Sequence, residues 1–137
     1  PIAARVRRTR PGAPFYRADL LSGRLPRTRT LAQALASGPL ETGQWHAVGA
    51  VIGRFHRAGV DHADLNAHNI LLDAHHAVYL IDFDRGRLRR SSGPWCRRNL
   101  RRLQRSLTKL EGLDPQFHFD ADGWDALEHG WREILQA

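Results

Sequence analysis

Three side chains near the middle of this sequence have the types and spacing of a phosphoryl-transfer centre. Asp64 lies in His62-Ala63-Asp64-Leu65-Asn66-Ala67-His68-Asn69, Asn69 follows it by five positions, and Asp82 ends the apolar run Val78-Tyr79-Leu80-Ile81. A carboxylate can accept the proton of an attacking hydroxyl. A second carboxylate and an amide oxygen can hold Mg2+ against nucleotide phosphates, because that small hard cation takes oxygen ligands. An isolated His-x-Asp triplet means little, and the bland reading makes Asp64 a turn residue and Asp82 a strand-end cap that never meet. Order and context decide between the two.

Chemistry at these residues needs elements that bring them together. Asn69 to Leu72 and Ala77 to Ile81 are short apolar runs separated by Asp73-Ala74-His75-His76, which predicts a hairpin with an exposed histidine pair at its turn. Such a hairpin places Asn69 and Asp82 at neighbouring ends of paired strands. Before the loop, Thr42 can cap a helix in which Trp45, Val48, Ile52 and Phe55 recur at helical spacing, closed by Gly59. Its aromatics suit a core better than a base-stacking platform. Thr30 can cap a shorter helix carrying Leu31 and Leu35 and ended by Gly38-Pro39, and Phe15 to Leu21 reads as a strand. Ser22 to Pro26 is then a connection where an adenine edge would meet backbone groups. Downstream, Leu100, Leu103, Leu107 and Leu110 define the buried face of a basic helix. Trp124, Leu127, Trp131, Ile134 and Leu135 define a closing one, with ordinary core tryptophans.

The order Asp64, Asn69, Asp82-Phe83-Asp84 resembles the catalytic loop and metal-binding strand end of protein-kinase-like phosphotransferases. More of the chain is similar to the 3-deoxy-D-manno-octulosonic acid (Kdo) kinases of Gram-negative bacteria. That similarity is carried by Asp64 to Asp73, Leu80 to Arg85, Tyr16 to Leu21 leading to Leu31, and the later Trp95, Asn99-Leu100, Arg102-Leu103 and Arg105-Ser106-Leu107. The resemblance implies an α+β, protein-kinase-like fold, here its large carboxy-terminal lobe, mostly helical with a small catalytic β-hairpin. It implies transfer of the ATP γ-phosphoryl group to a Kdo hydroxyl on a lipid A precursor, in lipopolysaccharide core synthesis at the cytoplasmic face of the bacterial inner membrane. Asp64 would orient and deprotonate the hydroxyl, and Asn69 and Asp82 would ligate Mg2+. His62, Asn66 and His68 would shape the loop. Heptose kinases of the same pathway share the two motifs and are an alternative.

Three departures from protein kinases point toward a small-molecule or sugar acceptor. Ala63 replaces the arginine that pairs with a phosphorylated activation loop, so that switch is not expected. Asp84 stands in place of the glycine of Asp-Phe-Gly, and Asn66 in place of a phosphate-touching lysine. The chain also has no glycine-rich loop, and its single lysine, Lys109, lies downstream of the catalytic loop. With 137 residues beginning at Pro1, it is expected to be the carboxy-terminal part of a longer protein. Residues 1–22 would be a remnant of the amino-terminal lobe and hinge, and 23–137 the large lobe. Phosphoryl transfer needs the nucleotide clamped from both sides, so this stretch alone is expected to be catalytically silent.

Composition narrows the partners. Lys and Arg number 21 against 14 Asp and Glu, a net charge of +7, and the excess concentrates between Arg85 and Lys109. Arg85, Arg98, Arg101, Arg102 and Arg105 are candidate contacts to lipid or substrate phosphate. Three readings compete for this basic face: ordinary solvation, anionic lipid with a phosphorylated lipid A precursor, and nucleic acid. The kinase-like motif favours the lipid substrate, and no nucleic acid is expected. A basic nucleic-acid-binding module, or a scaffold with a non-functional kinase loop, is the rival of a different class. One cysteine excludes an internal disulfide, no zinc-type His-Glu-x-x-His spacing occurs, and no apolar run is long enough to span a bilayer.

Overall fold

The computed structural model describes strands β1 (Arg5–Thr9) and β2 (Arg17–Leu21) and all of residues 25–137. The two strands pair antiparallel, Arg5 opposite Leu21 and Thr9 opposite Arg17. The strand expected from Phe15 thus begins at Arg17 as described. Phe15, Tyr16 and the connection Ser22 to Arg24 lie outside the described residues.

From Leu25 onward, short strands hold the site and helices hold the strands. Strand β3 (Arg29–Thr30) leads directly into α1 (Leu31–Ser37). Thr30 caps this helix with a full capping box: its hydroxyl accepts from Gln33 N at 3.0 Å, and the Gln33 side chain accepts from Thr30 N at 2.9 Å. Leu31 and Leu35 are completely buried. Helix α2 (Thr42–Arg57) is capped by Glu41 and not by Thr42, because Glu41 and Gln44 satisfy each other's backbone amides and push the helix start one residue back. Gly59, at φ +77°, turns the chain out of α2 into β4 (Val60–Asp61), and a Cβ there would collide with the Arg89 carbonyl.

The predicted hairpin forms, one residue shorter at each affected strand end. Strands β5 (Ile70–Leu72) and β6 (Val78–Leu80) pair with Ile70 opposite Leu80, and β5 also pairs with β3 through Arg29 opposite Leu72. Asp73 organises the turn, its carboxylate accepting from the amides of His75 at 2.8 Å and Ala77 at 2.9 Å and from the Tyr79 hydroxyl at 3.1 Å. These bonds, the Ala77 amide foremost, hold the Asp73 carboxyl below the usual range, and the same aspartate pushes the Tyr79 hydroxyl up.

A separate antiparallel pair joins β4 to β7 (Arg87–Leu88), which lies near the start of the basic run from Arg85 to Lys109. The helical part of that run, α3 (Pro94–Leu113), buries Leu100, Leu103 and Leu107 and half-buries Leu110. Helix α4 (Ala121–Gln136) closes the core with Trp124, Leu127 and Trp131. It packs most extensively against α2, and the two approach so closely that a Cβ on Gly49 would overlap the Leu127 backbone. Cys96 is buried, which raises its thiol pKa and leaves it a small apolar filler.

Glycine at the crossing is therefore a packing requirement. Gly49→Ala should destabilise the fold by about 1–3 kcal/mol, the scale of an overpacked core. Gly43→Ala, whose added Cβ meets nothing, should be neutral or stabilising by up to about 1 kcal/mol. Urea unfolding of the two variants measures both.

Candidate active site

The loop between β4 and β5 is built almost entirely from hydrogen bonds to its own backbone. Asn66 Nδ2 and Asn69 Nδ2 both donate to the Asp64 carbonyl, at 3.1 and 3.0 Å, and Asn66 Oδ1 accepts from the His68 amide at 2.9 Å. Asn66 is thereby spent on shape. Two neighbours anchor the loop from outside. The Ala32 amide, an otherwise unpartnered donor in the first turn of α1, bonds the Ala67 carbonyl at 3.1 Å, and the Ala67 amide bonds Ser106 Oγ of α3 at 3.2 Å. Leu65 and Ala67 face inward and are fully buried.

His62 connects the loop to the second motif. Its Nδ1 accepts from the Asp64 amide at 3.3 Å while Nε2 donates to the Ile81 carbonyl at 2.8 Å, roles that a single neutral tautomer fulfils. The ring is 2% exposed and lies 4.6 Å from the Phe83 ring, which in turn stacks on Phe55 of α2 at 5.3 Å. His68, in contrast, is exposed, and its side chain makes no hydrogen bond among the described residues.

The Ile81 amide donates to the Asn69 carbonyl at 3.0 Å, extending the hairpin by one step and setting Asp82 just beyond Asn69 on the adjacent strand. Asp82 itself sits at φ +63°, a left-handed conformation that aspartate tolerates better than most residues but still at a cost. Its side chain is exposed and has no hydrogen-bond or ion-pair partner among the described residues. Asn69 is 9% exposed, and with Nδ2 bound to Asp64 its remaining polar atom is Oδ1. The donor set at this edge is therefore oxygen only, a carboxylate and an amide carbonyl, which suits Mg2+. Asp64 is half exposed, and one of its carboxylate oxygens lies 3.4 Å from the Arg102 guanidinium. Arg102, expected only as a lipid or phosphate contact, thus reaches the candidate base.

Behind the loop lies a buried polar network that sequence reasoning missed. Arg89 grips Asp61 Oδ2 through Nε at 3.0 Å and Nη2 at 2.8 Å. Asn99 Nδ2 donates to Asp61 Oδ1 at 3.2 Å and lies 3.3 Å from His56 Nε2, whose Nδ1 accepts the Trp131 indole N–H at 2.9 Å. Asp61 immediately precedes His62, so this network fixes where the loop leaves β4. The only signal in the sequence was an aspartate ending a short apolar run, too common to single out.

Among the described residues one further group has metal-ligand geometry: His46, His129 and Glu133, on the exposed α2–α4 face. There His46 Nε2 and Glu133 Oε2 are 2.9 Å apart as an ordinary surface pair.

With this geometry in place, the comparison with known proteins is direct. The model of the Lipopolysaccharide kinase (Kdo/WaaP) family matches residues 1–130, and the chain belongs to that family. It is similar to the 3-deoxy-D-manno-octulosonic acid kinase of Xanthomonas axonopodis pv. citri (strain 306), 54% identical over 108 residues, which cover 78% of this chain and 43% of that protein. The kinases of the same name from Xanthomonas oryzae pv. oryzae (strain PXO99A) and Xylella fastidiosa (strain 9a5c) are 56% and 53% identical over 98 and 97 residues, each covering 71% of this chain and 39% of the relative. The chain spans about two fifths of the length of the curated relatives it matches.

The buried network makes stability depend on pH. Burial lowers the His56 pKa from 6.5 to about 4, outweighing the opposing pull of Asp61. The unfolded chain therefore takes up a proton at His56 before the folded chain does, and stability falls as pH drops from about 6.5 toward about 4, by up to roughly 3 kcal/mol from this group. Denaturant unfolding across that window should show the loss. His56→Gln should be less stable at pH 7 but flatter in pH, and an equal slope in both proteins would assign the dependence to other groups.

Proposed function

We propose that the protein carrying this chain is an ATP- and Mg2+-dependent kinase that phosphorylates a hydroxyl of a Kdo sugar on a lipid A precursor. The reading extends to the fold: the elements from β3 onward correspond to the large lobe of a protein-kinase-like enzyme. One observation carries it. Asp64 presents a half-exposed carboxylate while its backbone carbonyl accepts from Asn69, whose own backbone carbonyl accepts from the residue before Asp82, in a chain 54% identical over 108 residues to a protein named Kdo kinase.

In this mechanism the loop supplies orientation more than covalent chemistry. Asp64 accepts a hydrogen bond from the acceptor hydroxyl and takes its proton as the new O–P bond forms and the bond to ADP breaks. Asn69 Oδ1 and the Asp82 carboxylate would hold Mg2+, whose chemistry is to neutralise charge on the transferring phosphates. The two amides on the Asp64 carbonyl and the His62 bridge to Ile81 keep base and metal ligands in register, so little reorganisation is left for the reaction itself. Work at the cytoplasmic face of the inner membrane, with a lipid-linked acceptor, completes the proposal. The attachment proposed is peripheral; no helix among the described residues is long and apolar enough to cross a membrane.

In the full-length protein, Asp64→Asn should leave ATP affinity nearly unchanged and lower turnover by about a hundredfold or more, the scale of a lost general base. Wild-type turnover in that variant would remove Asp64 from the mechanism. Asp82→Ala should instead abolish Mg2+-dependent ATP binding, measured by calorimetry with and without the metal. Unchanged metal dependence would reassign the cation site.

A further inference from the structure

Beside the candidate base, the β4–β7 pair and the first half of α3 border a solvent-open cleft of about 830 Å3. Arg98, Arg101, Arg102 and Arg105 project into it from one stripe of α3, the face opposite the buried leucines. Arg85, Arg87 and Arg89 enter from the other wall, so seven arginines face two aspartates, Asp61 and Asp84. Arg89 is neutralised by Asp61, and Arg102 pairs with Asp64. The other five have no carboxylate partner among the described residues. Like charges gathered in a concave wall repel one another and raise the local potential for anions, and an oxyanion entering the cavity relieves that repulsion. Not every basic residue of α3 takes part. Arg97 lies elsewhere, 5.2 Å over the Trp131 ring and 3.9 Å from Glu128, and Lys109 does not line the cavity.

We propose that this cavity is the acceptor subsite, where arginines of α3 and of the 85–87 segment hold an oxyanion of the sugar acceptor and thereby set its hydroxyl at Asp64. The proposal rests on the kinase reading above. Kdo is by its name a sugar acid and carries a carboxylate at neutral pH, and a planar guanidinium fork matches a carboxylate or phosphate with two parallel hydrogen bonds. Position argues for the acceptor over the nucleotide. Ala63 lines the cavity next to the base, and Arg102 touches both the cavity and the Asp64 carboxylate, while the candidate metal ligands Asn69 and Asp82 lie outside the lining. A cleft walled on two sides by guanidinium forks also differs from a flat membrane-facing patch, which needs only diffuse charge.

The test uses the full-length protein and four acceptors: the natural glycolipid, its Kdo methyl ester, its dephosphorylated lipid A form, and the form carrying both changes. Arg98→Gln with Arg101→Gln should raise acceptor KM by about tenfold or more, the scale of a lost charge-assisted contact, with KM for ATP unchanged. Arg97→Gln should leave acceptor KM at the wild-type value. In wild-type protein the ester raises acceptor KM if the carboxylate is the bound group, and the dephosphorylated form raises it if a phosphate is. Either supports the subsite, independently of whether any variant folds poorly. An acceptor KM insensitive to both acceptor changes, or the same in the double variant as in wild type, overturns it. So does a double variant that loses binding to phosphatidylglycerol vesicles or to a DNA oligonucleotide while its acceptor KM is unaltered. Failure of the parent reading looks different, since it shows as wild-type turnover in Asp64→Asn.

Discussion

The hydrogen bond from the His62 ring to the Ile81 carbonyl is the tie on which the site depends. Asp64 and Asp82 belong to different strands of backbone, and no direct contact between them holds them in place. His62 instead reads the position of one through its Nδ1 and of the other through its Nε2. Because the ring is buried on Phe83, and Phe83 on Phe55, that tie is referred back to α2, the best-packed helix of the fold. The relative position of Asp64 and Asp82, the candidate base and candidate metal ligand, is thus tied to a helix core, although both carboxylates are exposed to solvent.

Charge is arranged in two layers around this tie. The inner layer is closed: Asp61 is 6% exposed and receives two bonds from Arg89 and one from Asn99, which oppose the desolvation of its carboxylate. The outer layer is open, with Arg98, Arg101 and Arg105 of α3 exposed and without a carboxylate partner among the described residues. A pair anchored on a buried carboxylate fixes geometry, while the unpaired set carries the charge that the proposed subsite uses. Arg102, half exposed and 3.4 Å from Asp64, is where the two layers meet.

What could be read from the sequence was whatever depends on neighbours along the chain. The cap at Thr30, the helical spacing from Trp45 to Phe55 and the hairpin around Asp73 are local, and each appears in the structure within a residue. The helix start at Glu41 was misplaced because glutamate and threonine compete for the cap there, and the reciprocal bond with Gln44 decides it. Strand β7 was illegible because Arg87 and Leu88 are both exposed and carry no apolar alternation. The Asp61 network was illegible for another reason: its partners come from 28, 38 and, through His56 and Trp131, 75 residues apart. No pattern within a window of the chain announces such pairings. The mixture of helices with small sheets followed from local signals and family resemblance together, and the arginine cleft emerged only once β7 and α3 were placed side by side.

The contact between Trp131 and His56 bears on how the protein is made. Synthesis delivers the chain from its amino end, so the loop carrying Asp64 leaves the ribosome long before Trp131 does. During that interval His56 has no indole partner and the face of α2 that α4 covers is bare. Contacts of such sequence separation form late and slowly. A nascent chain halted before residue 131 would carry every candidate catalytic residue yet lack the packing that holds them in register. Full packing of α2, and with it of the His62 tie, is thereby deferred until α4 arrives.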